Sequence, residues 1–265
     1  MDLGLANRIV VVTGGTSGIG LETARILLAE GARVAICGRD RERLRSACSN
    51  LLEKDAASER LLARRCDVLD RSEVNSFAAE VAQWAGGRID ALINNAGQGR
   101  VSTFSETDDE AWRDELNLKF FSQIFPLRAF RPLLERSDAA AIVGVNSLLA
   151  LQPEPHMVCT SAARAGVQSL LKSLASEFAP RIRVNSVLLG LIDSGQWERR
   201  FVARADQSQS HEQWLAALAR QKGIPLARLG QAQEAARAIV FLCSPAASYV
   251  TGASLEISGG VSRHI

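Results

Sequence analysis

Short runs of apolar, largely β-branched residues recur along the whole chain, at 9–12, 33–37, 61–66, 91–94, 139–145, 183–188 and 254–257. Most are continuous rather than alternating, the pattern of strands covered on both faces, as in a parallel sheet. Between them lie stretches with apolar residues at helical spacing. Residues 21–30 form one, ending at Gly31, a residue suited to the left-handed turn beyond a helix end. Residues 41–52 and 72–84 read the same way, and two longer helices are expected over 108–134 and 155–178, interrupted or bounded by proline. Strand and helix in such alternation predict an α/β fold, a doubly wound sheet with helices on both faces. No Gly/Ser/Pro linker, internal repeat or low-complexity tract divides the 265 residues, so a single domain over 1–265 is expected. The one weakly patterned stretch, 193–223, carries Trp197 and Trp214 and reads either as a flap over a ligand or as a solvated excursion.

Composition narrows the function classes. Hydrophobic residues make up 47% and charged residues 23%, as in ordinary globular proteins and unlike disordered chains. Lys+Arg 31 against Asp+Glu 29 leaves a net charge of +2, which gives no field for nucleic acid or an anionic membrane. No apolar run reaches the ~18 residues of a membrane span. The start, Met1-Asp2-Leu3-Gly4-Leu5, lacks the features of a secretory signal. Five scattered cysteines without a Cys-x-x-Cys pair suit reduced thiols in a cytoplasm, with no metal site expected.

The most informative local segment is Val10-Val11-Val12 running into Thr13-Gly14-Gly15-Thr16-Ser17-Gly18-Ile19-Gly20, after which a helix begins. A strand, a glycine-rich turn and a helix N-terminus together make an anion site. Backbone N–H groups and the positive end of the helix dipole face the ligand, and glycine admits a pyrophosphate.

The spacing Thr-Gly-x-x-x-Gly-Ile-Gly resembles that of the short-chain dehydrogenase/reductase family, and other segments agree. Asp67-Val68 follows the third strand, where the family contacts adenine, and Asn94-Asn95-Ala96-Gly97 closes the fourth. Asn117 lies in the following helix, Ser147 ends the fifth strand, and Arg183-Val184-Asn185-Ser186-Val187 precedes a glycine loop. Tyr249-Val250-Thr251-Gly252 and Ser258-Gly259-Gly260 match the family's C-terminal end. The resemblance spans nearly the whole chain. It implies an NAD(P)-binding Rossmann-like sheet of seven parallel strands in the order 3-2-1-4-5-6-7, and a homotetramer or homodimer. It also implies a cofactor site of Gly14, Thr16, Ser17, Gly18, Ile19, Gly20, Asp67, Val68, Asn95, Ala96, Gly97, Arg164, Gly190 and Ile192.

An acidic residue at the end of the second strand would hold a free ribose hydroxyl and repel a 2′-phosphate. That position falls on Gly38, and Arg39 follows; a guanidinium grips phosphate, so NADP(H) is the expected cofactor. Asp40 is the alternative ribose partner.

The family's chemistry rests on a Ser, a Tyr thirteen residues later and a Lys four beyond it, with an Asn on the neighbouring helix holding a relay water. Counting from Ser147, those positions carry Thr160 and Arg164, and the only tyrosine in the chain, Tyr249, belongs to the C-terminal motif. Thr160 and Arg164, four apart, can share a helix face. Arg164 can hold ribose hydroxyls but does not deprotonate. An aliphatic hydroxyl is a far weaker acid than a phenol, whose pKa is near ~10. Replacement proton carriers are His156, one helical turn before Thr160, or a chain of Ser147, Thr160 and water anchored by Asn117. Alternatively, Arg164 binds a substrate carboxylate. Leu189 stands where the family has proline before Gly190. Two functions follow as expectations. One is an NADP(H)-dependent oxidoreductase interconverting a small-molecule carbonyl and alcohol through a Ser/Thr/Arg centre. The other is a non-catalytic NADP(H)-binding sensor or scaffold.

Overall fold

A computed structural model describes residues 2–52, 58–204 and 208–264, with the side chains of Gln196 and Arg199 excepted. The strands are β1 (Ile9–Thr13), β2 (Arg33–Gly38), β3 (Leu61–Arg65), β4 (Ala91–Asn94), β5 (Ala141–Ser147), β6 (Arg183–Leu189), β7 (Ile192–Asp193), β8 (Gly230–Gln231) and β9 (Ser254–Ile257). The helices are α1 (Gly18–Ala29), α2 (Arg41–Leu52), α3 (Arg71–Trp84), α4 (Asp109–Leu134), α5 (Val158–Glu177), α6 (Gly195–Val202), α7 (His211–Gln221) and α8 (Ala232–Cys243).

Seven strands form one parallel sheet in the order β3-β2-β1-β4-β5-β6-β9, the arrangement expected from the sequence with β9 as the seventh strand. The continuous apolar runs have their physical reason here: β1 and β4 are buried along their whole length because helices cover both faces. Two apolar clusters flank the sheet. One packs Phe77, Phe130, Leu134, Leu171 and Val184 from the α3, α4 and α5 side. The other packs Leu27, Leu28, Ile36, Ile93 and Ile239 from the side of α1 and α8.

The differences from the sequence pattern are local. The helix α8, which the pattern does not predict, packs Ala235, Ala236, Ile239 and Val240 into the core. The fifth helix starts at Val158 rather than at residue 155. Its first turn is fastened from outside: Ser102 Oγ accepts from Cys159 N at 3.3 Å, and Val158 N donates to Ser102 O at 3.1 Å. Within 193–223 the chain forms α6 and α7, whose Trp197, Phe201 and Trp214 pack together; residues 205–207 lie outside the described residues. The small β7–β8 ribbon anchors that segment's base.

Candidate active site

The glycine turn between β1 and α1 is shaped by contacts that exclude side chains. A Cβ on Gly20 would lie 2.3 Å from Gly14 O and 2.4 Å from Asn95 Nδ2. Gly14, at φ +66, would meet the Ala96 backbone at 2.9 Å, whereas Gly18, at φ +52, faces open space. Asn95 staples the turn: its Nδ2 donates to Thr13 O (3.0 Å) and Gly14 O (3.1 Å). Thr13 Oγ1 accepts from the backbone of Asn95 (3.0 Å) and Ala96 (3.1 Å). Asn95 therefore acts through the loop it holds. Ser17 precedes α1 in extended conformation and makes no side-chain cap, so the first N–H groups of the helix are left for an anion.

At the end of β2, a Cβ on Gly38 would strike Thr16 Cγ2 at 2.6 Å, so a side chain enters there only if Thr16 moves aside. Arg39 is exposed and lies 3.9 Å from Asp67, leaving its guanidinium accessible beside the cradle. Asp40, the alternative ribose partner, is engaged otherwise. Its Oδ1 accepts from Glu42 N (2.9 Å) and Arg43 N (3.0 Å), bonds that hold its carboxyl below the usual range. Val68 is buried in the core, which leaves only its main chain for a ligand. Gly97 is exposed and open. Gly190 is pressed against Ser258, where a Cβ would lie 2.9 Å from Cα, and Ile192 packs its side chain on Gly230.

At the C-terminal end of β5, Ser147 is half-buried; its Oγ donates to Leu189 O at 3.3 Å and accepts from Leu149 N at 3.3 Å. Arg164 reaches the same strand end, with Nη1 donating to Val145 O at 3.0 Å and to Asn146 Oδ1 at 3.4 Å. Burial pulls its pKa down to about 10, against the pull of Glu115, so it stays cationic at neutral pH. Its Nε is buried without a partner. Asn146, which no sequence motif singles out, organises this corner. Its Oδ1 also accepts from Ser147 N at 2.9 Å, and its Nδ2 donates to Arg164 O at 3.1 Å.

Thr160 is buried beneath Arg164 but is turned elsewhere. Its hydroxyl has Glu115 Oε1 at 2.5 Å and Arg100 O at 3.2 Å as acceptors, the carboxylate being the shorter and charged one, and accepts from Arg100 N at 3.1 Å. It makes no hydrogen bond to Ser147 among the described residues, so the expected Ser–Thr chain is not formed directly. The same Glu115 oxygen accepts from Lys119 Nζ at 2.8 Å, and Lys119 also donates to the Gln98 carbonyl. Glu115 is 2% exposed and Lys119 3%, an ion pair almost removed from water. Desolvation, then the nearby Arg164, lowers Lys119 to about pKa 8, although Glu115 opposes the change.

The expected water anchor and the expected histidine donor both lie away from this cluster. Asn117 is exposed, because two residues along a helix rotate it by about 200° from both Glu115 and Lys119. His156 precedes α5, so the helical spacing to Thr160 does not apply; its exposed ring pairs with Glu154 at 3.1 Å. Tyr249 is fully exposed and supplies nothing to the site. Glu115 and Lys119 had a signal in the sequence. With Ser122 and Gln123 they extend backward the buried stripe of Leu127, Phe130 and Leu134.

The fold and cradle together define a dinucleotide-binding α/β protein of the doubly wound class. Comparison with known proteins makes this specific. A family model described as enoyl-(acyl carrier protein) reductase matches residues 14–262. The 3-oxoacyl-(acyl-carrier-protein) reductase of Chlamydia muridarum is 31% identical over 97% of this chain and 98% of its own. The chain belongs to the short-chain dehydrogenase/reductase family. It is 58% identical, with a TM-score of 0.95 and full coverage of both chains, to an apo short-chain oxidoreductase of Pseudomonas aeruginosa PAO1 described as containing an atypical catalytic center. The NADPH-bound structure of a short-chain oxidoreductase from the same organism, described in the same words, is 57% identical at TM-score 0.92, covering 98% of this chain and 100% of that one. L-sorbose reductase of Gluconobacter frateurii, complexed with NADPH and L-sorbose, is 30% identical at TM-score 0.94, again over both whole chains. No helix among the described residues is long and apolar enough to cross a membrane.

Proposed function

We propose that this chain is an NADP(H)-dependent oxidoreductase that interconverts a small-molecule carbonyl and its alcohol, with Lys119 in place of the family's tyrosine as proton donor. The observation that carries the reading is the buried trio of Thr160, Glu115 and Lys119 beside Arg164. The site fits the cofactor. The 14–20 turn, with its uncapped helix end, suits the pyrophosphate, and Arg39 suits a 2′-phosphate. The backbone at Asp67 and Val68 and at Ala96 and Gly97 lines the adenine and ribose side, and the orphaned Nε of Arg164 suits a ribose hydroxyl. The reduced nicotinamide, when bound, supplies the hydride.

The remaining work falls to the chain. Ser147 orients the carbonyl oxygen. Arg164 adds fixed positive charge where an alkoxide develops. Lys119 releases its proton and becomes a neutral amine, a role for which a pKa of about 8 is well placed at neutral pH. Thr160, whose hydroxyl is committed to Glu115, is a positioning residue. The substrates named for the relatives, L-sorbose, galactitol and 3-oxoacyl-(acyl-carrier-protein), favour sugars, polyols or 3-oxoacyl compounds as substrates. The exposed Leu116 of α4 and Leu255 of β9 support assembly as a homotetramer or homodimer through those elements.

NADPH oxidation across a panel of ketoses, small ketones and 3-oxoacyl thioesters tests the assignment. Turnover is expected with the parent and a loss of about 10²–10⁴ with Lys119→Met. A parent that binds NADPH and turns over nothing in the panel supports the sensor or scaffold reading, which the committed Thr160 hydroxyl favours. Undiminished turnover by the variant removes Lys119 from the chemistry.

A further inference from the structure

Among the described residues, Glu115 is the buried carboxylate at the heart of the site, and one of its oxygens serves two donors from two elements. Oε1 accepts from Lys119 Nζ on its own helix at 2.8 Å and from Thr160 Oγ1 on α5 at 2.5 Å. Thr160 in turn accepts from Arg100 N at 3.1 Å, so the carboxylate also fastens the segment after β4. Burying a carboxylate is costly unless each lone pair finds a donor, and a purely structural site is served as well by neutral groups. Its charge therefore has to answer to something local. The charged groups facing Lys119 are Glu115 from α4, Arg164 from α5 and Arg100 from the loop after β4; the two arginines push its proton off and only Glu115 holds it on.

We infer that Glu115 is the positioning residue that decides when Lys119 releases its proton, and that through Thr160 it ties this setting to the docking of the 97–102 segment. The inference rests on the reading of Lys119 as donor. An opposite charge at this range favours a cation's charged form, raising its pKa by about 1–3. Without it, the ammonium faces two arginines in a nearly dry site, and Lys119 is deprotonated at the pH where it should donate. Thr160 conveys the setting because its hydroxyl proton, given to Glu115, fixes the carboxylate's orientation toward the lysine.

The chain has only four lysines, Lys54, Lys119, Lys172 and Lys222, so ¹³Cε-lysine labelling resolves each titration by NMR without any substrate. In the NADPH-loaded parent, Lys119 should titrate well below the ordinary lysine value of 10.5. Glu115→Gln should lower its midpoint by a further ~1–3 pH units. Glu115→Asp keeps the charge one methylene further back and should lower it by less; it also provides the answer where the glutamine variant folds poorly. A Lys119 midpoint unchanged to within ~0.3 pH unit in a folded variant of either kind overturns the inference. The pH profile of NADPH oxidation with the best carbonyl of the panel separates the two readings. If the NMR midpoint and the alkaline limb of turnover move together, both stand; the rate at pH 7.5 then falls about threefold as the midpoint moves from about 8 to about 7, and approaches a tenfold loss for each further pH unit. If the midpoint moves and the limb does not, the coupling stands and Lys119 is not the donor.

Discussion

Replacing Thr160 by valine removes one oxygen from the centre while nearly keeping its shape. Thr160 is 1% exposed, so the valine fills the same space without a cavity. The hydroxyl no longer donates to Glu115 Oε1 (2.5 Å) or to Arg100 O (3.2 Å), which compete for its one proton, and Arg100 N loses its acceptor (3.1 Å). A hydrogen bond to a charged group is worth about 1.5–3 kcal/mol, and an unsatisfied buried N–H costs about 1–3 kcal/mol. Because Arg100 lies where water can reach part of the loop, the lower ends apply, and the sum is about 2.5 kcal/mol. At ~2–4 °C per kcal/mol for a chain of this size, the melting temperature should fall by about 5–10 °C. Thr160→Ser keeps the hydroxyl and should lose far less. Circular dichroism of thermal unfolding reads the difference, and an NADPH titration checks that the distant cradle still binds. A valine variant melting within about 2 °C of the parent would refute the bonding pattern on which the Thr160 assignment rests.

Gly20→Ala should weaken NADPH binding at least tenfold by calorimetry, because its Cβ would lie 2.3 Å from Gly14 O and the turn must open to admit it. Gly18→Ala, with no clash but φ +52, should cost only about 1 kcal/mol of backbone strain; equal losses from both would show that the turn is not the phosphate site. The buried Lys119 also predicts how stability responds to alkali. Its folded pKa, about 8, lies below the ordinary 10.5, so below pH 8 both states are protonated and the burial cost is felt in full. Between those values the unfolded chain binds more protons, and this site's contribution rises with pH. Urea unfolding at pH 7.5 and 9.5 should show the parent gaining about 2 kcal/mol relative to Lys119→Met; a flat difference contradicts the depressed pKa.

The cradle and the sheet were legible because their information is contiguous. Gly14, Gly18 and Gly20 lie within one turn of chain; Gly14 and Gly20 leave no room for a Cβ, and Gly14 and Gly18 take the left-handed backbone that glycine adopts most readily. A run such as Val10-Val11-Val12 is apolar because both faces of its strand are covered, whatever covers them. The site was legible only where spacing fixed a face: Ser147 and Arg164 meet at the end of β5, as the motif implies. Asn117 and Lys119 are two residues apart in the chain, yet one faces solvent and the other the site, and the rotation of α4 against the sheet makes that choice. His156 lost its place because α5 begins two residues after it, at a start set by Ser102 from another segment. Asp40 gives one carboxylate oxygen to the first turn of α2, a local role that its place in the sequence did not reveal.

What the linear order determined by itself was the α/β architecture, the anion site at the head of α1 and the absence of a phenol. Tertiary packing alone decided which polar groups gather around the position where that phenol is missing. Glu115, Lys119, Thr160 and Arg100 come from separate stretches of chain, and the hydrogen bonds and depressed proton affinity that make them a unit arise only once burial has removed the water between them.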